Sequence, residues 1–347
     1  MNVSIIICTR NRIESLERTL SAIGRIAIPS TLEAELLVVD NGSTDGTSER
    51  VSGTRLPNMP VRCVEEGNPG LSCARNRALI STSAPILLFT DDDIRPPHDW
   101  IEAMCSPIIR GEAHATVGGV RLADYLKRRW MTPTHFDCLA STESASSQEG
   151  PCLLGANMAI SREVFSQVPS FDIEIGAGRL GCYEDTLFGW QVERAGYRIN
   201  ALRDVVVEHH CSQDRLARAC FLDSAARGGR TRAYLAYHWR HSTVFAPRLR
   251  ALKAAVKLRM LRTRRKSEIT GVEGAPVWEM TQILYYQFFT HYLVERARPR
   301  NYEDHGLIKR AGDRYEPASC VPAGSAFPDL TGQLRHNTSS VARCVCE

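Results

Sequence analysis

Ile86-Leu87-Leu88-Phe89-Thr90-Asp91-Asp92-Asp93 is the stretch on which the fold of this 347-residue sequence turns. It reads as a buried apolar strand that ends abruptly in three carboxylates. Ligands of open α/β sheets bind at the carboxyl ends of the strands. Carboxylates gathered there repel one another unless a cation or a proton intervenes. A hard divalent ion such as Mg²⁺ or Mn²⁺ takes oxygen ligands and commonly shares them with phosphates, so the run points to a metal–diphosphate site. An isolated acidic triplet is equally compatible with a solvated turn. The surrounding sequence has to decide between the two.

Upstream, strand-length apolar runs alternate with helix-period segments. Residues 3–8 read as a strand, and Ile13, Leu16, Leu20 and Ile23 share one helical face. Residues 36–39 form a second strand ending at Asp40, and the loop Asn41-Gly42-Ser43-Thr44-Asp45-Gly46 follows, with Asp45 placed to cap the next helix. Residues 61–64 are a third strand, 71–80 a helix and 86–89 the fourth strand. This alternation predicts a parallel sheet with helices on both faces. Right-handed crossovers bring the loops after Cys8, Val39 and Phe89 to one edge, so Thr9, Arg10, Asn11, Asp40 and the three aspartates should converge. Downstream, residues 116–120 and 158–160 are expected as strands on the far side of the sheet. Residues 142–150 are expected as a mobile Ser-rich loop, 171–175 as a strand-like run and 186–195 as a helix ending at Gly196. Residues 205–207 form a last strand running into Glu208-His209-His210, and 277–297 an aromatic-rich helix.

Several of these segments stand in a familiar order. Ser4-Ile5-Ile6-Ile7-Cys8-Thr9-Arg10-Asn11-Arg12 is followed by Val38-Val39-Asp40-Asn41-Gly42-Ser43-Thr44-Asp45-Gly46-Thr47. Then come Asn68-Pro69-Gly70-Leu71-Ser72-Cys73-Ala74-Arg75-Asn76-Arg77, the aspartate run, Leu154-Gly155-Ala156-Asn157-Met158, Glu184-Asp185 and His209. The ordered set, covering about the first two thirds of the chain, strongly resembles a family 2 glycosyltransferase with the GT-A fold, a Rossmann-like mixed sheet flanked by helices. The resemblance implies an inverting, metal-dependent transfer of one sugar from a nucleotide-diphosphate sugar to an acceptor hydroxyl on a glycan, a lipid-linked molecule or a small molecule. It places Thr9, Arg10, Asn11, Arg12, Asp40, Asn41, Gly70, Arg75, Asp91 and Asp92 on the nucleotide sugar. Asp93, Asp91 and His209 are then expected on Mn²⁺ or Mg²⁺. Asp185 would be the general base, with Glu184, Asn157 and Gly155 on the acceptor side.

Each assignment has a plainer counterpart. Asp40 can accept a hydrogen bond from a base N–H or merely cap a turn. Arg75 can approach a diphosphate or sit on the surface. Glu184 and Asp185 can serve chemistry or complement a helix dipole. Adjacent strand residues point to opposite faces, so one of His209 and His210 should face the crevice, and the resemblance favours His209. Gly176-Ala177-Gly178-Arg179-Leu180-Gly181 matches the dinucleotide fingerprint. It lies in mid-chain without a complete βαβ unit, and reads better as a flexible lid beside Glu184 and Asp185.

Composition sets the remaining bounds. The chain is 43% hydrophobic and 24% charged, an ordinary globular mixture. Its net charge of +4 conceals a strong asymmetry, because residues 214–266 hold 15 Lys or Arg against 2 Asp or Glu. A catalytic domain is expected over residues 1–212, its nucleotide-sugar half at about 1–97 and its acceptor half at about 98–212. A basic, aromatic helical extension should occupy 213–312 and a disordered tail 313–347. The basic segment reads either as helices packed on the catalytic domain or as a surface that meets anionic lipids. No nucleic-acid motif accompanies the charge, so no nucleic-acid partner is expected. The 12 cysteines include no CxxC pair, which speaks for reduced, mostly buried thiols rather than zinc. Residues 3–8 are too short for a signal sequence, no apolar run spans a bilayer, and no QxxRW motif marks a processive synthase. A cytoplasmic location is expected, free or at the inner face of the membrane. The alternatives are a catalytically silent nucleotide-sugar-binding or assembly protein and a nucleotidyltransferase. The latter needs a Gly-rich triphosphate loop that residues 8–12 lack.

Overall fold

The computed structural model describes residues 2–144, 152–269 and 271–310. Its strands are β1 (Asn2–Thr9), β2 (Glu33–Asp40), β3 (Val61–Glu65), β4 (Ile86–Thr90), β5 (Ile94–Arg95), β6 (Ala115–Leu122), β7 (Asn157–Ser161) and β8 (Ile199–His209). They form one sheet in the order β3-β2-β1-β4-β7-β6-β8-β5. The first four strands are parallel, as the alternating pattern requires, and β7 enters antiparallel to both β4 and β6. The sheet is therefore mixed, and residues 115–122 and 157–161 extend it beyond β4.

The helices are α1 (Ile13–Ile23), α2 (Thr47–Gly53), α3 (Leu71–Ser81), α4 (Trp100–Ile109), α5 (Pro133–Cys138), α6 (Glu184–Arg194), α7 (Arg218–Tyr234), α8 (Pro247–Arg264) and α9 (Val277–Glu295). Successive side chains of β1 point to opposite faces. Ile5 and Ile7 accordingly join Leu16, Leu20, Trp100 and Met104 in one apolar cluster. Ile6 joins Phe89, Met158, Phe171 and Phe188 in the other. With both faces covered, the strand ends are left as the place where polar groups can gather.

Several elements differ from the sequence reading, among them β5 and α5, which it did not contain. Residues 171–175 are not a strand. Asp172 is buried there and accepts hydrogen bonds from Tyr234 (2.5 Å), Tyr302 (2.7 Å) and Lys309 (2.8 Å), an arrangement a ladder strand would not present. Strand β8 starts at Ile199 rather than 205, carried across a register irregularity between Gly118 and Gly119 of its partner β6. Helix α4 has no counterpart in the sequence reading, since Pro107 lies inside it and punctuates the pattern. The thiols are less buried than expected. Cys73, Cys105 and Cys211 are buried, Cys152 is exposed and the other described cysteines are half-buried.

Helices α7 and α9 share a core with the end of the sheet: Leu122, Leu126 and Leu139 pack with Phe221, Ala225 and Met280. α8 lies outside them against α9. Glu279 of α9, fully buried, accepts from Arg218 of α7 (2.5 Å) and Arg262 of α8 (2.7 Å), so one carboxylate ties the three helices. Among the described residues no helix is long and apolar enough to cross a membrane. The Ser-rich loop is described only as far as Ser144. The tail at 313–347, with Cys344 and Cys346, lies outside the described residues.

Candidate active site

The parallel register sets the site. Thr9 faces Asp40 across β1 and β2, and Ile7 faces Thr90 across β1 and β4. The chain beyond Thr90 therefore runs beside Thr9, whose hydroxyl donates to Asp92 Oδ2 at 2.7 Å. Arg12, at the entry to α1, spans the next two carboxylates: Nη1 is 2.8 Å from Asp92 Oδ1 and Nη2 is 2.6 Å from Asp93 Oδ2. Both carboxylates are buried. Burial pushes the Asp92 carboxyl up to about 7, helped by the charge of Asp93 and opposed by Arg12. At Asp93 burial acts in the same direction but is outweighed by His209 and Arg12, which hold it below the usual carboxylate range. Asp91 is half-exposed and makes no hydrogen bond or ion pair among the described residues. Its carboxyl is raised by burial and by Asp93, against Arg75 and His209.

His209, not His210, faces the aspartates. Its Nδ1 lies 2.8 Å from the carbonyl of Leu139, which can only accept, so that nitrogen carries the proton. Nε2 then points at Asp93 Oδ1 from 3.1 Å, and this oxygen is buried without a formed hydrogen bond. Two lone pairs so placed need a proton or a cation between them. Accordingly Asp93 raises the His209 pKa against the effect of burial. A buried carboxylate oxygen facing a buried imidazole nitrogen is a donor pair that a divalent ion can take. Among the described residues no three His, Cys, Asp or Glu side chains already surround one point. His210 instead pairs with Glu208 at 2.7 Å.

A second group of charges lies where α6 begins. Glu184 is buried and accepts from Arg75 Nη1 at 2.7 Å; Arg75 is itself 3% exposed and is no surface residue. Burial, then the charge of Asp185, pushes the Glu184 carboxyl up to about 7 despite Arg75. Asp185 is held by two backbone N–H groups, that of Gly155 to Oδ2 (2.9 Å) and that of Thr186 to Oδ1 (2.7 Å). A side chain at 155 would place Cβ 1.8 Å from Arg75 Nη2, so glycine is what lets the guanidinium lie under this loop. Tyr183 precedes the pair in a left-handed conformation (φ 70°), and Arg232 donates to its hydroxyl at 2.9 Å. The sequence reading passed over Tyr183, Arg232 and the bridging geometry of Arg12, since only contacts across the fold reveal them.

Other expected residues hold loops together. Asn41 donates to the carbonyls of Glu66 (3.0 Å) and Asn68 (2.7 Å) and accepts from the Gly70 N–H (2.8 Å). Asn11 accepts from the Thr44 N–H at 2.7 Å. Asp45 accepts from the N–H groups of Ile13 (3.0 Å) and Thr47 (3.2 Å), so it serves the starts of two helices. Asp40 accepts from the Ser43 N–H at 2.9 Å through Oδ1, and Oδ2 has no partner among the described residues. Arg10 is exposed at the mouth with no ion pair among the described residues.

Asn157 was expected on the acceptor side, and the structure corrects this. It is fully buried and donates to the carbonyls of Gly119 and Val205 (both 2.9 Å), while its oxygen accepts from the Trp100 indole (2.9 Å). With both N–H groups used, it is a tie within the sheet. The lid reading of 176–181 also needs revision, because the Leu71 N–H bonds the Ala177 carbonyl (2.9 Å) and the Ser72 hydroxyl bonds the Ile175 carbonyl (2.9 Å). That loop is laced to α3. A cavity of about 290 Å³ lies alongside, lined by Leu139, Arg215, Phe221, Ser224 and Arg227 among others.

Comparison with known proteins adds sequence and fold likenesses. The glycosyl transferase family 2 profile matches residues 4–168. Glycosyltransferase AglE of Haloferax volcanii is 37% identical over 119 residues, which is 34% of this chain and 38% of that protein. Glucosyl-3-phosphoglycerate synthase of Mycobacterium tuberculosis is 31% identical over 137 residues, 37% of this chain and 38% of the synthase. Each match thus spans well under half of the relative's length. Among solved structures, mannosyltransferase PcManGT from Pyrobaculum calidifontis, in complex with GDP-Man and Mn²⁺, superposes with a TM-score of 0.54 at 19% identity, covering 85% of this chain and 86% of that one. That likeness is one of fold, and the fold is GT-A.

Proposed function

We propose that this chain is a family 2 glycosyltransferase that moves one sugar, with inversion, from a nucleotide-diphosphate sugar to an acceptor hydroxyl, assisted by Mn²⁺ or Mg²⁺; the profile match over residues 4–168 supports the family. The observation that carries the metal is the pair of facing lone pairs on Asp93 Oδ1 and His209 Nε2, 3.1 Å apart. Those two residues would hold the ion, with Asp91, free of hydrogen bonds, completing the protein's share. When bound, the ion acts as a Lewis acid on the oxygens of the departing diphosphate. Arg10, exposed at the mouth, and the open Oδ2 of Asp40 are suited to the nucleoside.

Asp185 would take the proton from the attacking acceptor hydroxyl. Its two backbone N–H partners fix its direction; Oδ1 also accepts from the Thr186 hydroxyl (3.4 Å), which leaves Oδ2, held by the Gly155 N–H alone, as the oxygen suited to the acceptor. Arg75 neutralises Glu184 beside it, which keeps a second buried charge from opposing the developing one. A single general base acting in direct displacement gives inversion at the anomeric carbon. The acceptor would approach past Leu139 and α7, where the cavity with Arg215 and Arg227 opens.

The test is a panel of nucleotide-diphosphate sugars assayed for hydrolysis and transfer with and without Mn²⁺, with the anomeric configuration of the product read by NMR. Mn²⁺-dependent turnover of one donor with inversion supports the reading. Nucleotide binding without turnover on any donor or acceptor would leave a silent sugar-nucleotide-binding protein. Retention of configuration would overturn the role given to Asp185.

A further inference from the structure

The outer face of α8 carries an apolar stripe that the fold leaves uncovered. Leu249, Leu252, Val256 and Met260 stand at i, i+3, i+7 and i+11, a single line along the helix. They are 52%, 60%, 50% and 46% exposed, and Phe245 just before the helix is 81% exposed. The opposite face is the one that packs: Ala251 and Ala254 are buried, and Leu258 and Leu261 half-buried.

Charge frames the stripe on both sides. At 100° per residue, Arg248 and Arg259 fall on one flank and Lys253, Lys257 and Arg264 on the other. None of these five makes an ion pair among the described residues, and α8 contains no acidic residue. Arg262 and Arg265 differ, being engaged by Glu279 and Glu268. On α9 the exposed Tyr285 stacks on Phe289, over which Arg250 lies at 5.7 Å, so amphipathic rings border the same helix.

We propose that α8 is a docking surface for an anionic lipid bilayer, lying in the plane of the interface with its apolar stripe directed into the acyl boundary. Such a helix seats apolar side chains between headgroups while Lys and Arg reach the phosphates. A second copy of this chain is a poorer occupant. Apposing two α8 stripes would bring unpaired basic flanks together, with no carboxylate on either helix to relieve them. The proposal does not depend on the transferase reading, because bilayer binding requires no turnover.

Cosedimentation of the full chain tests it, using vesicles of phosphatidylcholine alone and of equimolar phosphatidylcholine and phosphatidylglycerol. The wild type should pellet with the anionic vesicles about ten-fold more than with the neutral ones, and salt should release it. Two variants separate the contributions. L252E/V256E removes the apolar contact, and R248Q/K253Q/K257Q/R259Q/R264Q removes the charge. Both change exposed side chains, so melting temperature and circular dichroism should match the wild type, while pelleting falls about ten-fold. Wild type that stays in the supernatant, equal pelleting with both vesicles, or full pelleting by either variant would overturn the proposal. So would a dimer in analytical ultracentrifugation that L252E/V256E splits while vesicles capture neither form.

Discussion

Asp93 Oδ1 and His209 Nε2 face each other 3.1 Å apart in a buried place, and at the level of single residues the proposed metal role rests on that contact. Asp93→Ala should abolish Mn²⁺-dependent binding of a nucleoside diphosphate in calorimetry; unchanged metal dependence would remove the ion from this position. Asp185→Asn keeps the shape and one of the two backbone contacts, because its amide nitrogen cannot accept from an N–H, and it loses basicity. Transfer should slow on the order of 10²-fold or more with donor affinity nearly intact, the scale of general-base catalysis. Normal turnover would reduce Asp185 to a helix-capping group. Gly155→Ala tests the link between the two carboxylates and Arg75. The added methyl meets only the end of a flexible guanidinium, which can swing away at the expense of its pairing with Glu184. Activity should therefore drop on the order of ten-fold while the melting temperature falls only by a few degrees, a destabilisation of about 1–2 kcal/mol.

Between elements, the decisive contacts are backbone against backbone, and there the consequence of the same substitution is different. Gly229 of α7 would place a Cβ 2.4 Å from the carbonyl oxygen of Leu284 in α9. A carbonyl inside a helix cannot rotate away, so Gly229→Ala must push the helices apart. The expected loss is about 1–3 kcal/mol in chemical denaturation, with the nucleotide site unchanged by donor binding. Gly118 and Gly119 play a comparable part in β6. Gly118 leaves room for Asn157 to reach the carbonyls of Gly119 and Val205, and Gly119 lets the Arg203 carbonyl of β8 approach, which together hold β7 against the irregular pairing of β6 and β8.

Across the whole molecule, Asp172 joins the loop before α6 to α7 and to the last described segment, through Tyr234, Tyr302 and Lys309. Burial would raise its carboxyl, but Lys309 and the Tyr234 hydroxyl outweigh it and hold it below the ordinary value. The unfolded chain takes up this proton near the usual pKa of about 3.9. The stabilisation is thus complete above about pH 4 and is lost as pH falls through the lower folded value. The wild-type melting temperature should drop steeply below that pH, and Asp172→Asn should be less stable at neutral pH with a flatter acid limb. Parallel curves would deny Asp172 this role. What the sequence determined by itself was the alternation of strand and helix and the carboxylates at the end of β4, because apolar period and strand-end polarity are local properties. It also carried the ordered motifs over which the family 2 profile matches residues 4–168. Tertiary structure alone decided which of those polar residues remain open. Asn41 and Asn157 resemble Asp91 in the sequence as exposed-looking polar groups, yet each is consumed by backbone groups far away in the chain. Arg75 became a buried partner of Glu184, and the apolar residues of α8 divided between a packed and an uncovered face. Those outcomes depend on which groups meet across loop crossings and helix contacts, and no periodicity along a single chain encodes them.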